Sequence, residues 1–137
     1  MNIINKAKQF AIRKHAGQLD DSGKPFINHP VQVAEILKII TTDENLIAAG
    51  YLHDVLEDTK TTYTELEQEF NKDIAGLVAE VSHEGFKNTG YYFPNLKTQR
   101  GIMLKFADRL SNLSRMEPWN EKRKAHYLKT SKFWKGG

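Results

Sequence analysis

The stretch His53-Asp54-Val55-Leu56-Glu57-Asp58-Thr59 decides how this chain reads. It sets an imidazole and three carboxylates within about two helical turns. On a helix advancing ~100° per residue, His53, Asp54, Glu57 and Asp58 fall within roughly 140°, on one side. Three carboxylates crowded on one face repel one another unless a cation sits among them. The spacing therefore points to a divalent metal site with acid groups left over for proton transfer.

Working outward, the chain reads as helix separated by loops. Ile3, Ile4, Ala7, Phe10 and Ala11 recur at helical spacing over residues 2–15. The segment LDDSGKP, residues 19–25, is rich in turn formers. Pro30 can open the helix VQVAEILKII, where its missing N–H does no harm. Thr42 or Asp43 can cap a third helix, ENLIAAGYLHDVLED, over residues 44–58. Thr62 and Glu65 make a capping box for a short helix ending near Phe70, and Asp73 is a cap for IAGLVAEVS. Residues 84–97 break the periodicity with Gly, Asn and Pro. Helical pattern resumes at Thr98 and runs through GIMLKFADRLSNLSRM until Pro118, after which a last amphipathic stretch reaches about Trp134. There is no repeat and no convincing strand alternation. The expected fold is all-α, a single helical bundle spanning residues 1–137.

Composition narrows the chemistry. Lys plus Arg total 20 against 17 Asp plus Glu, a net +3, which suits an anionic small molecule and does not point to nucleic acid. With no cysteine, disulfides and thiolate metal sites are excluded. Any metal must be held by His and carboxylates, favouring manganese, magnesium, iron or zinc over copper(I). The start, MNIINKAKQFAIRKHAGQ, lacks the apolar core of a signal peptide, and no run reaches membrane-spanning length. A soluble cytoplasmic protein is expected.

Two further pieces carry suitable side chains. In Gly23-Lys24-Pro25-Phe26-Ile27-Asn28-His29-Pro30, His29 sits at a helix entrance. In Lys105-Phe106-Ala107-Asp108-Arg109-Leu110-Ser111-Asn112, Asp108 and Asn112 share a helical face. A carboxylate beside that helix's apolar side is costly unless a cation receives it.

The order His … His-Asp … Asp resembles the signature of the HD phosphohydrolase superfamily. HAGQ at 15–18, SGKPFINHP at 22–30, HDVLEDT at 53–59 and KFADRLSN at 105–112 look like the hydrolase domain of RelA/SpoT proteins, and are similar to small alarmone hydrolases including metazoan SpoT homologs. The resemblance covers roughly residues 5–116. It implies a helical fold holding one manganese ion, and hydrolysis of the 3′-pyrophosphate of guanosine tetra- or pentaphosphate. By motif, the metal ligands would be His29, His53, Asp54 and Asp108. Glu57 and Asp58 would activate or orient the attacking water, and Asn112 would contact the bound nucleotide. Lys24, Lys97 and Arg100 are candidates for neutralising phosphate charge.

The sequence also departs from that pattern. Leu19-Asp20-Asp21 stands where the family carries Arg, often followed by Lys, so two negative charges face the expected anionic ligand. Ser114-Arg115 replaces an Arg-Thr-like continuation, and the chain ends sooner than most relatives, so helices completing the pocket are expected to be abbreviated or to come from another subunit in a homo-oligomer. Two other readings stay open: an HD nucleotidase or phosphatase for another phosphorylated nucleotide, and a non-catalytic nucleotide-binding HD domain. His15 is expected to orient a loop through a hydrogen bond, and His83 and His126 to be surface histidines. Tyr91, Tyr92 and Phe93 would stack on a base or pack a loop, and Lys122, Arg123 and Lys124 would form a solvated face.

Overall fold

The computed structural model describes residues 2–82 and 98–114. Among them are seven helices and no strand: α1 (Ile3–Lys14), α2 (Asn28–Ile40), α3 (Glu44–Leu52), α4 (Val55–Asp58), α5 (Tyr63–Glu69), α6 (Lys72–Val81) and α7 (Gln99–Ser114). Leu19 and Pro25 form an isolated bridge across the loop from α1 to α2. The segment 84–97, with Tyr91, Tyr92, Phe93 and Lys97, lies outside the described residues, as do His83, Arg115, Lys122, Arg123, Lys124 and His126.

The sequence places α3 at the centre. Every residue from Leu46 to Leu52 is buried, the pattern of a helix that is apolar all round. α1, α2, α6 and α7 pack around it, α7 also lies on α2, and α5 lies on α6. Asp43 caps α3 by accepting from the Leu46 N–H, and Thr62 caps α5 by accepting from the Glu65 N–H. Gly50 allows the closest approach. A Cβ there would lie 2.8 Å from Leu37 Cδ1 and 3.2 Å from Ala34 Cα, so α2 and α3 meet at that distance only without a side chain.

Three boundaries differ from the sequence reading. The helix expected over 44–58 is broken: α3 stops at Leu52, His53 and Asp54 form a turn, and α4 holds four residues. His53 Nδ1–H donates to the Gly50 carbonyl at 2.8 Å, a side-chain bond at the end of α3. α2 begins at Asn28, so His29 lies inside its first turn. Asn71, not Asp73, caps α6, accepting from the Ile74 N–H at 2.8 Å. Asp73 instead joins Asp43 in holding Arg100, whose Nη1 lies 2.7 Å from Asp73 and whose Nε lies 2.8 Å from Asp43. That clasp ties the starts of α3, α6 and α7 together.

Candidate functional site

The ends of three helices meet where α3 gives way to α4. His29 comes from the first turn of α2, His53 from the end of α3, Asp54 from the turn that follows, and Asp108 from the middle of α7. The ligand atoms of His29, His53 and Asp108 all lie within 4.8 Å of one another. His29 Nε2 is 2.9 Å from Asp108 Oδ1, His53 Nε2 is 3.3 Å from the same oxygen, and the two Nε2 atoms are 3.2 Å apart. Asp54 Oδ2 closes the group at 3.0 Å from His53 and 3.5 Å from His29.

The far side of each ring settles which atom faces this point. Ser111 Oγ donates to Gln32 Oε1 at 2.6 Å, so it accepts from His29 Nδ1–H at 2.8 Å. The Gly50 carbonyl can only accept, so His53 Nδ1 also carries a proton. In their neutral forms both imidazoles therefore present Nε2 lone pairs to each other and to two carboxylate oxygens. The two Nε2 atoms lie 2.9–3.5 Å from each other and from an oxygen of each carboxylate, and such electron-rich atoms repel without a positive charge between them. Among the described residues only His29, His53 and Asp108 form a mutually close set of three, with Asp54 bordering it through the imidazoles. Adjacent ligands about 2.1 Å from one ion are spaced about 3.0 Å on an octahedron and about 3.4 Å on a tetrahedron. The donor set and its spacing fit a divalent cation.

The electrostatics agree. Burial opposes ionisation of Asp54, but the neighbouring imidazoles, His53 foremost, outweigh it and hold the carboxyl at about 2. Burial also opposes ionisation of Asp108, yet Lys105, His29 and His53 bring it well below the usual carboxylate range. His53 resists charge through burial, but Asp54 and Asp108 together hold it well above the ordinary histidine value. A proton on His53 thus takes the place of the cation when none is bound. Lys105, only 4 % exposed, sets its ammonium 2.9 Å from Asp108 Oδ2 and leaves Oδ1 turned to the imidazoles.

α4 carries the acid pair: Glu57 is half-buried and Asp58 exposed. Four residues are too few to hold a helix unaided, and neighbours fasten this one. The Asp58 N–H donates to the Asp54 carbonyl, Thr59 Oγ1 donates to the Val55 carbonyl, and Gln18 Nε2 donates to the Asp58 carbonyl at 2.8 Å. Gln18 is in turn met by His15 Nδ1 at 3.0 Å. Burial pushes the His15 imidazole below its usual range.

Asn112 lies one turn beyond Asp108 and donates to its Oδ1 at 3.4 Å, so it reaches the edge of the cluster. Lys24 is exposed in the loop before α2. Arg100 is not at this site. Asp43 and Asp73 hold it at the opposite end of α3, a helix about 13 Å long, and its expected phosphate contact is corrected on that ground. Asp20 departs from expectation too: its Oδ1 accepts from the Ser22 and Lys24 N–H groups at 2.8 and 3.0 Å, fastening the turn at Gly23. Sequence reasoning missed Ser111, Gln32 and Gln18, while the Lys105 pair with Asp108 was one it allowed for. Helical spacing offered a signal for the first two, since Ser111 is three residues from Asp108 and Gln32 three from His29.

The HD-domain family profile matches residues 7–85. A probable guanosine-3′,5′-bis(diphosphate) 3′-pyrophosphohydrolase of Synechocystis is 33 % identical over 95 % of this chain and 19 % of its own length. The Escherichia coli K12 bifunctional (p)ppGpp synthase/hydrolase SpoT is 38 % identical over 80 % of this chain and 17 % of its own. Against these relatives the chain spans about a fifth of their length. Guanosine-3′,5′-bis(diphosphate) 3′-pyrophosphohydrolase MESH1 of Xenopus tropicalis is 34 % identical over 92 % of this chain and 79 % of its own. A solved metazoan ortholog of SpoT, described as hydrolysing ppGpp, superposes with a TM-score of 0.79 at 29 % identity, covering 96 % of this chain and 83 % of that one.

Proposed function

Because this chain belongs to the HD-domain family, we propose that residues 1–137 act as one metal-dependent phosphohydrolase domain that removes the 3′-pyrophosphate of guanosine tetra- or pentaphosphate, with manganese as the resident ion. One observation carries the reading: His29, His53 and Asp108 bring their ligand atoms within 4.8 Å of one another, with Asp54 Oδ2 at 3.0 and 3.5 Å from the two imidazoles, while both Nδ1–H groups are committed elsewhere. The relatives named as guanosine-3′,5′-bis(diphosphate) 3′-pyrophosphohydrolases support the substrate class.

His29, His53, Asp54 and Asp108 would hold the ion. When bound, it supplies Lewis-acid chemistry, acidifying water and polarising a phosphoryl oxygen. Ser111 and the Gly50 carbonyl fix the tautomers that make ligation possible. Lys105 balances the second oxygen of Asp108. On α4, a Glu57 or Asp58 carboxylate oxygen accepts the proton of the attacking water, a role worth about 10²–10⁴ in rate. Asn112, at the edge of the cluster, and Lys24, exposed on the loop before α2, would contact the nucleotide. No helix among the described residues is long and apolar enough to cross a membrane.

A second reading, an HD enzyme acting on another phosphorylated nucleotide, is favoured by one observation: Asp20 and Asp21 stand where basic residues would serve a polyphosphate. One experiment separates the two. Metal-stripped protein is reloaded with manganese, magnesium, iron or zinc and given a nucleotide panel. The first reading expects pyrophosphate and GDP from ppGpp with manganese, and loss of activity on chelation. Cleavage of other nucleotides with ppGpp left intact would favour the second. Undiminished turnover in EDTA after dialysis would overturn both.

A further inference from the structure

We propose that His15 and Gln18 are positioning residues that hold the Glu57–Asp58 acid pair in register with the metal cluster. The inference rests on the reading that this pair serves the reaction, and it assigns a task to the HAGQ segment, which touches no ligand atom.

The argument begins with which atoms can donate. A carbonyl only accepts, so the Gln18 group facing the Asp58 carbonyl at 2.8 Å is the amide NH2. Its other end, Oε1, then faces His15 and must accept from Nδ1–H at 3.0 Å. One chain of donors thus runs from the end of α1 to the backbone of α4, its Gln18–Asp58 link alone crossing 40 residues of sequence. Both members are held. The His15 ring is 2 % exposed and lies 4.9 Å from the Phe26 ring. The Gln18 N–H donates to the His15 carbonyl, and the Gln18 carbonyl accepts from the Phe26 N–H at 2.8 Å. Gly17, at φ +85, makes the reversal that brings Gln18 back.

Among the described residues His15 Nε2 is buried with no hydrogen-bond partner. What the imidazole contributes is a rigid Nδ1–H that stops the Gln18 amide from turning over. Without it the amide can present oxygen to the Asp58 carbonyl, a repulsive contact, and α4 loses its long-range tether. The Thr59 hydroxyl still bonds the Val55 carbonyl, so α4 would loosen rather than vanish. The acid pair would then sample positions out of line with the reacting centre.

The test uses the full chain with Gln18→Met, His15→Ala and His15→Asn; an Asn amide can replace the Nδ1–H donor. Hydrogen exchange of the metal-free protein is read over residues 54–60. Gln18→Met and His15→Ala should exchange faster at the Asp58 and Thr59 amides, with α2 and α6 unchanged, and His15→Asn should return toward wild type. Manganese affinity should stay within about twofold, because the ligands are untouched, while kcat on ppGpp falls about tenfold or more at constant KM. Unchanged exchange over 54–60, or metal affinity that falls as far as kcat, would overturn the proposal. If wild-type protein turns over no nucleotide, the functional reading fails while the exchange and affinity results still decide whether these residues position α4.

Discussion

Replacing Ser111 with Ala should separate metal affinity from fold stability. Ser111 is fully buried and joins His29 Nδ1 at 2.8 Å to Gln32 Oε1 at 2.6 Å. The substitution removes the acceptor that keeps the His29 proton on Nδ1. Once free to move to Nε2, that proton blocks the atom that faces Asp108 at 2.9 Å. Loss of such a supporting bond lowers metal affinity about 10–100-fold, or about 1.4–2.7 kcal/mol. A buried donor stripped of its partner also costs about 1–3 kcal/mol of stability, near 4 °C of Tm per kcal/mol for a chain of this size. Isothermal titration of metal-stripped protein with manganese reads the first effect, and calorimetric unfolding without metal reads the second. Ser82→Ala is the matched control: Ser82 is buried and donates to the Val78 carbonyl at 2.8 Å, within α6. It should lose stability and keep its metal affinity. If Ser111→Ala binds manganese within twofold of wild type, or Ser82→Ala weakens binding equally, the tautomer argument is wrong.

Gly50→Ala drives a Cβ to 3.2 Å from the Ala34 backbone; overpacking costs about 1–3 kcal/mol, partly offset by Ala's helix preference of about 1 kcal/mol, and urea unfolding should show a net loss. Glu57→Gln should lower kcat about 10²–10⁴-fold while manganese affinity, by titration, stays within a few-fold; a matching collapse of affinity would make Glu57 a ligand instead. The Arg100 clasp predicts a pH effect. Hydrogen bonds from Arg100 depress the Asp73 carboxyl below its unfolded value, so its stabilisation is present above the unfolded pKa and is lost as pH falls through the folded one. The Tm gap between wild type and Asp73→Asn should therefore be open at pH 7, begin to narrow below about pH 3.9 and be gone once pH is below the folded value; a gap that persists in strong acid, with Asp73 protonated in both states, would mean the clasp works by shape, not charge.

Residue type and order made the metal cluster legible, because few patterns put two imidazoles and two carboxylates in these contexts. The helices were legible wherever apolar spacing and a local cap agreed, as at Asp43 and Thr62. The break between α3 and α4 was not, because a 100° period runs through 44–58 without interruption. What ends α3 is a side-chain bond from His53 to Gly50, invisible to periodicity. The start of α6 was misread because Asn71 and Asp73 are both good caps, and Asp73 is committed elsewhere. Arg100 was misassigned for the same kind of reason: its partners lie 57 and 27 residues away, and only folding brings them together.

That correction changes where the attraction for phosphate must come from. With Arg100 committed to two carboxylates, Lys105, buried against Asp108, is the cation that the hydrogen bonds place on the cluster, while Lys24 is exposed on the loop before α2. Count the charges around the common point. Asp54 and Asp108 are ionised at neutral pH and Lys105 offsets one, leaving one negative charge with both imidazoles neutral. Without an ion, the raised His53 pKa supplies a proton and brings the sum to zero. A bound divalent ion would take the place of that proton and bring the sum to one positive charge, at a site of low dielectric where charge acts strongly. Under the proposed function, the ion that would activate water would also be the main attraction for an anionic ester, and Lys105 would keep the loaded centre positive. An apolar residue at 105 would leave the loaded cluster neutral, and the carboxylates of α4 would then make the pocket repel such a substrate.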